Sequence, residues 1–181
     1  VSSKKGQDLR NDTVINVVAL LKEDVGASRT YDMRLDEFPL DDDLVARNVA
    51  GALRLIRLQN ELYLEATATA TVQLECVRCL RRYDQSVKAR FAAQYEPTVD
   101  VRTGVEVEEI DDEAERFPIS ENHEVDVAEP LRQELIVALP MRAVCGRDCP
   151  GPDLSGLDDT EDGDPRFGAL ADLLNDEPTA G

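Results

Sequence analysis

The sequence is poor in the groups that most often do chemistry or stack on bases. Tryptophan is absent, aromatic residues make up 4% of the 181 residues, and His123 is the single histidine. A Ser-His-Asp triad would need His123 as its base, and no Gly-x-Ser-x-Gly elbow accompanies it. Neither a Walker loop nor a Gly-x-Gly-x-x-Gly turn is present, so the common nucleotide cradles are excluded. These absences predict a protein that is not an enzyme and has no small-molecule substrate. No run of about 18 apolar residues occurs, which excludes a transmembrane helix and a membrane partner of that kind. Val1-Ser2-Ser3-Lys4-Lys5-Gly6 is not followed directly by an apolar stretch, so no signal peptide is expected and the expected compartment is the cytoplasm. Cations are scarce as well. Twenty Lys and Arg face 38 Asp and Glu, for a formal net charge of −18 and a pI near 4.3. Nucleic acid repels such a chain as a whole, because phosphate binding relies on Lys and Arg displacing counterions. A basic protein partner is electrostatically easier.

What is present reads mainly as β-structure built from Val, Leu, Ile and Ala. Residues 1–12 are polar and expected to lack order. Residues 13–21 are rich in β-branched side chains and read as a strand. Residues 30–35 alternate as a return strand, and Pro39 with Asp41-Asp42-Asp43 is expected to break it. The clearest pattern runs over residues 49–95. Leu62, Leu64, Ala66, Ala68, Ala70, Val72 and Leu74 alternate with polar neighbours, and Val87, Ala89, Phe91, Ala93 and Tyr95 resume the alternation after an interruption. Period two over such a span excludes a helix. Gln59-Asn60-Glu61 reads as a tight turn between two of the strands.

Between Glu106 and Glu129 eleven acidic residues face one arginine, which reads as a solvated loop over residues 98–125. Asp126, Glu129 and Pro130 mark a helix start. Leu131, Leu135, Ala138 and Leu139 then share a face, and Pro140 stops it. A second acidic stretch, residues 157–181, carries a short helix that starts at Asp164-Pro165 and has Phe167, Leu170, Leu173 and Leu174 as its apolar stripe. The expected fold is α+β: an antiparallel β-meander covered by one or two short helices, in a single domain over residues 13–156.

The interruption in the longest pattern is Glu75-Cys76-Val77-Arg78-Cys79-Leu80-Arg81-Arg82. It holds two of the four cysteines, at the end of a predicted hairpin; Cys145 and Cys149 hold the others, in a Gly/Pro-rich segment. Thiolates at Cys-x2-Cys and Cys-x3-Cys spacing can reach one tetrahedral ion, and a structural zinc on Cys76, Cys79, Cys145 and Cys149 is the leading reading. Reduced thiols without metal and a redox Cys-x-x-Cys are the alternatives. The redox reading expects a turn into a helix, whereas strand pattern follows here. The same hairpin carries Arg78, Arg81, Arg82, Lys88 and Arg90 against Asp84 alone, and Arg142 and Arg147 would join them if the cysteine pairs converge. Such a patch reads either as ordinary surface charge or as a surface facing RNA or another partner.

Glu75-Cys76-Val77-Arg78-Cys79-Leu80 resembles the Cys-x-Arg-Cys-Leu signature of the bacterial YceD family, the large ribosomal RNA subunit accumulation proteins. Glu134-Leu135-Ile136-Val137-Ala138-Leu139-Pro140 resembles the family's helix ending in Leu-Pro. Cys145-Gly146-Arg147-Asp148-Cys149-Pro150-Gly151 resembles its second cysteine cluster, and Asp164-Pro165-Arg166 its C-terminal end. The resemblance covers roughly residues 45–175. It implies a non-enzymatic role in ribosome biogenesis, supporting synthesis, processing or stability of large-subunit ribosomal RNA. The implied partner is a ribosomal RNA precursor, a ribosomal protein or an assembly factor. Many relatives carry a further cysteine pair after this cluster, whereas Pro152-Asp153-Leu154 follows here. The competing reading is an acidic adaptor that docks a basic protein without touching RNA.

Overall fold

Four long runs of alternating residues become four long strands, and everything else is arranged around them. The computed structural model describes residues 3–5, 8–59, 61–99 and 116–152. In chain order the elements are β1 (Ser3–Lys5), β2 (Leu9–Arg10), β3 (Val14–Asn16), α1 (Val18–Leu21), β4 (Ser28–Asp41), β5 (Leu44–Arg57), β6 (Leu62–Glu75), β7 (Arg82–Pro97), β8 (Arg116–Ile119), β9 (Glu124–Asp126) and α2 (Ala128–Val137). Strands β4, β5 and β6 have 14 residues each and β7 has 16. Each pairs antiparallel with the next. The fold is α+β, but the sheet is mixed rather than purely antiparallel. β1 and β2 lie parallel to β4, and β8 lies parallel to β7. The parallel partners arrive by longer connections that no hairpin signal in the sequence announces.

Alternation decides which face is buried. On β6 the side chains of Leu62, Leu64, Ala66, Ala68, Ala70 and Val72 turn inward, and on β7 those of Val87, Ala89, Phe91, Ala93 and Tyr95 do. Leu53 and Leu55 on β5 and Met33 and Leu35 on β4 complete that face. The amphipathic helix α2 packs on β7 and β4, burying Leu131 and Leu135 completely. The Tyr95 hydroxyl donates to the Asp126 carbonyl at 3.0 Å just before the helix, so one fully buried side chain ties β7 to the helix start. Asp126 assists from one residue further out than the sequence suggests. Its Oδ1 accepts the Ala128 N–H at 2.8 Å, while Val127 occupies the N-cap.

Several local expectations change. Residues 13–21 split into β3 and α1. The Asn16 carboxamide accepts the Val18 N–H at 3.2 Å and turns the chain, and Val17 and Leu20 are then both fully buried. β3 pairs with β9 in a separate two-stranded sheet. Pro39 does not end β4. It lies exposed, opposite Val45, and β1 and β2 pair only with residues nearer the start of β4, so its missing N–H disturbs no ladder on that side. The polar N-terminus also takes on structure, since Ser3–Lys5 and Leu9–Arg10 pair with β4 and Leu9 is buried opposite Met33. Of the acidic loop over 98–125, residues 116–119 and 124–126 form β8 and β9. Residues 100–115 and the C-terminal segment with its expected helix lie outside the described residues. His123, with φ of +58°, sits in the turn between β8 and β9, where its carbonyl accepts the Val17 N–H at 2.9 Å. Among the described residues, no helix is long and apolar enough to cross a membrane.

Candidate metal centre

The β6–β7 hairpin closes through six residues, since Glu75 pairs with Arg82 and the loop spans residues 76–81. The loop is held by its own backbone. The Cys76 N–H donates to the Arg81 carbonyl and the Leu80 N–H to the Cys76 carbonyl, each at 2.9 Å. Leu80 takes a left-handed conformation (φ +57°), which turns the chain back into β7. The segment after α2 then crosses this loop. The Val77 N–H donates to the Ala143 carbonyl at 2.9 Å, which sets Cys145 beside Cys76. Gly146 (φ +153°) allows the turn from Cys145 toward Cys149.

These contacts bring all four cysteines together. Their sulfurs lie within 4.8 Å of one another. Cys76 Sγ and Cys149 Sγ are 3.7 Å apart, as are Cys79 Sγ and Cys145 Sγ. A disulfide would need about 2.05 Å. A tetrahedral ion bonded to thiolates at about 2.3 Å would separate them by about 3.8 Å. The cluster therefore has the donor set and the size of a four-thiolate site and could hold a metal ion. Both 3.7 Å contacts run between the two distant pairs, so the site joins the hairpin to the segment after α2.

The electrostatics favour thiolate at the inner positions. Cys76 is fully buried, and its pKa falls to about 6. The backbone N–H of Cys79 contributes most, and the N–H of Cys145, 3.4 Å from the sulfur, adds to it. Cys79 is lowered by the Arg81 backbone N–H and then by the Arg81 guanidinium. Cys145 is pushed up to about 12, first by its contact with Cys149 and then by burial. A metal displaces protons from such thiols, so its affinity rises with pH. The direction is the same for the metal-free centre. Cys76 is held below its ordinary value, so the interactions around its thiolate are complete above the ordinary thiol pKa of about 8.5. They are lost as the pH falls through about 6. Metal retention against a chelator should therefore be at least about tenfold stronger at pH 8 than at pH 6. Equal retention at both would contradict the site.

Two neighbours escaped the sequence reading. The Tyr83 hydroxyl is buried without a hydrogen-bond partner among the described residues, and its pKa is raised by burial and then by Cys76 and Cys145. A donor hydroxyl lodged near metal-bound thiolates would have the acceptors it otherwise lacks. Ala143 contributes only its carbonyl, a contact that no side-chain pattern encodes. The cations divide. Arg78, Arg81 and Arg82 are exposed on or beside the cysteine loop, and Arg142 and Arg147 flank Cys145. Lys88 and Arg90 do not belong to this pole. They lie on the solvent face of β7, six and eight residues along the strand from Arg82, or about 20 and 26 Å at strand rise.

No curated protein and no solved structure matches the chain. A family model described as "Large ribosomal RNA subunit accumulation protein YceD" matches residues 64–174, which takes in most of β6, the cysteine hairpin, β7, α2 and the second cysteine pair. With more than half of the chain matched, including both halves of the cysteine cluster, the protein belongs to the YceD family, whose name assigns it to the accumulation of large-subunit ribosomal RNA.

Proposed function

We propose that this chain is a non-enzymatic, cytoplasmic ribosome biogenesis factor in which one structural zinc ion clips the cysteine hairpin to the segment after α2. The observation that carries the zinc reading is the approach of four sulfurs from two distant pairs to within 4.8 Å. Four protein thiolates fill a tetrahedral ion, leaving no open position for water, so the ion supplies rigidity and not a reacting group. The clip presents Arg78, Arg81 and Arg82 on a loop whose backbone is fixed, at one pole of a chain of net charge −18. Its partner is a precursor of large-subunit ribosomal RNA, or a ribosomal protein or assembly factor bound to one.

The test is sedimentation of the full chain with large-subunit precursors, alongside ribosomal RNA levels in cells depleted of the protein. Depletion should lower large-subunit ribosomal RNA selectively. The triple variant R78E/R81E/R82E should lose at least about tenfold in precursor association if each arginine meets a phosphate. Because Arg81 touches Cys79, metal content is measured on the same sample. Unchanged ribosomal RNA after depletion would refute the proposal.

A further inference from the structure

The second group of cations separated by the fold, Lys88 and Arg90, has companions that are far away in sequence. The register across the sheet sets Arg10, Arg34, Ala50, Thr69 and Lys88 in one row over β2, β4, β5, β6 and β7. The next row reads Asp32, Ala52, Thr67 and Arg90, and on the other side Arg47 stands beside Thr71 and Ser86. All of these lie on the solvent face, opposite the core. Rows on one face repeat about every 6.8 Å and strands lie about 4.8 Å apart, so Arg34 and Lys88 flank a floor of small residues on β5 and β6 about 14 Å across, with Arg10 one strand further out. Two depressions of about 530 and 350 Å³ occupy this floor and share Asp32, Ala52 and Thr67, forming one shallow trough.

Charge and composition identify what fits the trough. In the rows from Arg54 and Glu65 to Arg47 and Ser86, Arg10, Arg34, Arg47, Arg54, Lys88 and Arg90 stand against Asp32, Asp36, Glu37 and Glu65, on a chain of net charge −18, and Asp84, Glu75 and Arg82 lie beyond them toward the cysteine loop. Arg54 is engaged with Glu65 at 3.7 Å. The other five cations make no ion pair with the described residues. Arg10 and Arg34 are direct neighbours on adjacent strands, an arrangement of like charges that costs stability. A protein partner would require large apolar or aromatic anchors at the centre of the surface. Here the centre is Ala50, Ala52, Thr67 and Thr69. The large exposed hydrophobics lie away from it: Val77 and Leu80 on the cysteine loop, Val137 and Met141 at or beyond the end of α2, Val14 on β3, Val25 before β4, and Val45 near the start of β5, two residues from Arg47. Small side chains let a polymer backbone approach the sheet closely, and hydroxyls such as those of Thr67 and Ser86 can donate to phosphate oxygens.

The geometry points to this face as a surface that binds the sugar–phosphate backbone of RNA without reading its bases. The inference rests on the ribosomal RNA reading for the identity of the polymer, and it is distinct from the cysteine pole. A sheet face that reads bases needs exposed aromatic platforms; of the three aromatic residues that line the trough, Tyr31 and Phe91 are buried in the core and Tyr63 is partly exposed at its margin.

The test uses the full, metal-loaded chain and a fluorescein-labelled 20-nucleotide polyuridine RNA, titrated at several salt concentrations. K88E/R90E should weaken binding at least about tenfold and reduce the salt slope by about 1.4, the value for two lost phosphate contacts on a single strand. R34E, across the sheet on β4, should weaken it at least about threefold, whereas K22E, which makes the same change in net charge off this face, should change it less than about 1.5-fold. The substituted side chains are exposed, and unchanged circular dichroism and metal content confirm that the fold persists. Equal effects of R34E and K22E would overturn the assignment, as would a wild-type chain that does not bind the RNA. So would binding lost in R78E/R81E/R82E but retained in K88E/R90E. If K88E/R90E weakens RNA binding while depletion leaves cellular ribosomal RNA unchanged, the face stands and the ribosomal RNA reading fails.

Discussion

Replacing Cys145 with serine should remove the metal as completely as replacing Cys76. The two residues are 69 positions apart, and a site confined to the hairpin would respond only to the second change. In the folded chain Cys145 is one of four sulfurs within 4.8 Å, and its own N–H donates to Cys76 Sγ. A four-thiolate site that loses one ligand loses charge, coordination number and the closed shell that excludes water. Structural zinc ions bind four-ligand peptides with about 10–16 kcal/mol in all, so loss of one of the four ligands should be decisive for occupancy. Metal analysis after dialysis against a chelator should give about one ion per wild-type chain and less than about 0.1 in either variant. The sheet should survive, because its core of Leu, Val and Ala side chains is built apart from the site, and far-ultraviolet circular dichroism should change little. The segment after α2 should not survive in place. Trypsin should cut at Arg142 and Arg147 faster in C145S than in wild type. Retention of the ion by C145S would show that the two pairs do not share it.

The second large effect is expected in α2, far from any sulfur. Leu131 and Leu135 are four residues apart, fully buried, and fix the helix on β7 and β4. Leu135→Ala should cost about 2–5 kcal/mol through lost burial and the cavity left behind. That is a large part of the 5–15 kcal/mol that typically separates folded from unfolded domains. Urea denaturation should report it as a lowered midpoint. The same change should weaken metal binding, because α2 delivers the chain through Pro140 to Ala143 and Cys145. Val137→Ala is the matched control. Val137 is 77% exposed on the same helix, and its truncation should stay within about 0.5 kcal/mol. If L135A and V137A behave alike, the helix does not anchor the second cysteine pair.

The strands legible in the sequence were those whose signal is local. On β6 and β7 each inward residue is separated from the next by one outward neighbour, polar everywhere but at Ala92, and burial follows that alternation from Leu62 to Val72 and from Val87 to Tyr95. The cysteine hairpin was legible for the same reason, since an interruption between two matched alternating runs is a turn. The helix α2 showed itself by its spacing and by Pro140. Where the reading failed, a distant partner decided the outcome. Residues 13–21 have the β-branched composition of one strand, yet β9 pairs with only the first part and the buried side chains of Val17 and Leu20 require a helical turn for the rest. Pro39 ends a strand by local rules, but only if its N–H is needed, and β4 has no partner strand beside Pro39 on the side away from β5 among the described residues, which removes that need. Ser3–Lys5 and Leu9–Arg10 carry no strand signal of their own and are ordered by the open edge of β4.

By itself, then, the sequence determined an acidic α+β chain with two cysteine pairs, a cationic hairpin and the motif order of a ribosomal RNA accumulation family. These follow from residue type, period and spacing, which act over a few residues and need no knowledge of what packs where. Only the tertiary structure decided that the sulfurs of the two pairs meet and that the contact runs through the backbone of Ala143. It also decided that the cations of the hairpin belong to two surfaces. Arg78, Arg81 and Arg82 stay at the cysteine pole, while Lys88 and Arg90 join Arg10 and Arg34 across the sheet. Closing a loop of 65 residues between Cys79 and Cys145, and setting β2 and β4 in line with β7, are matters of sheet register and core packing, and neither is written in any one segment.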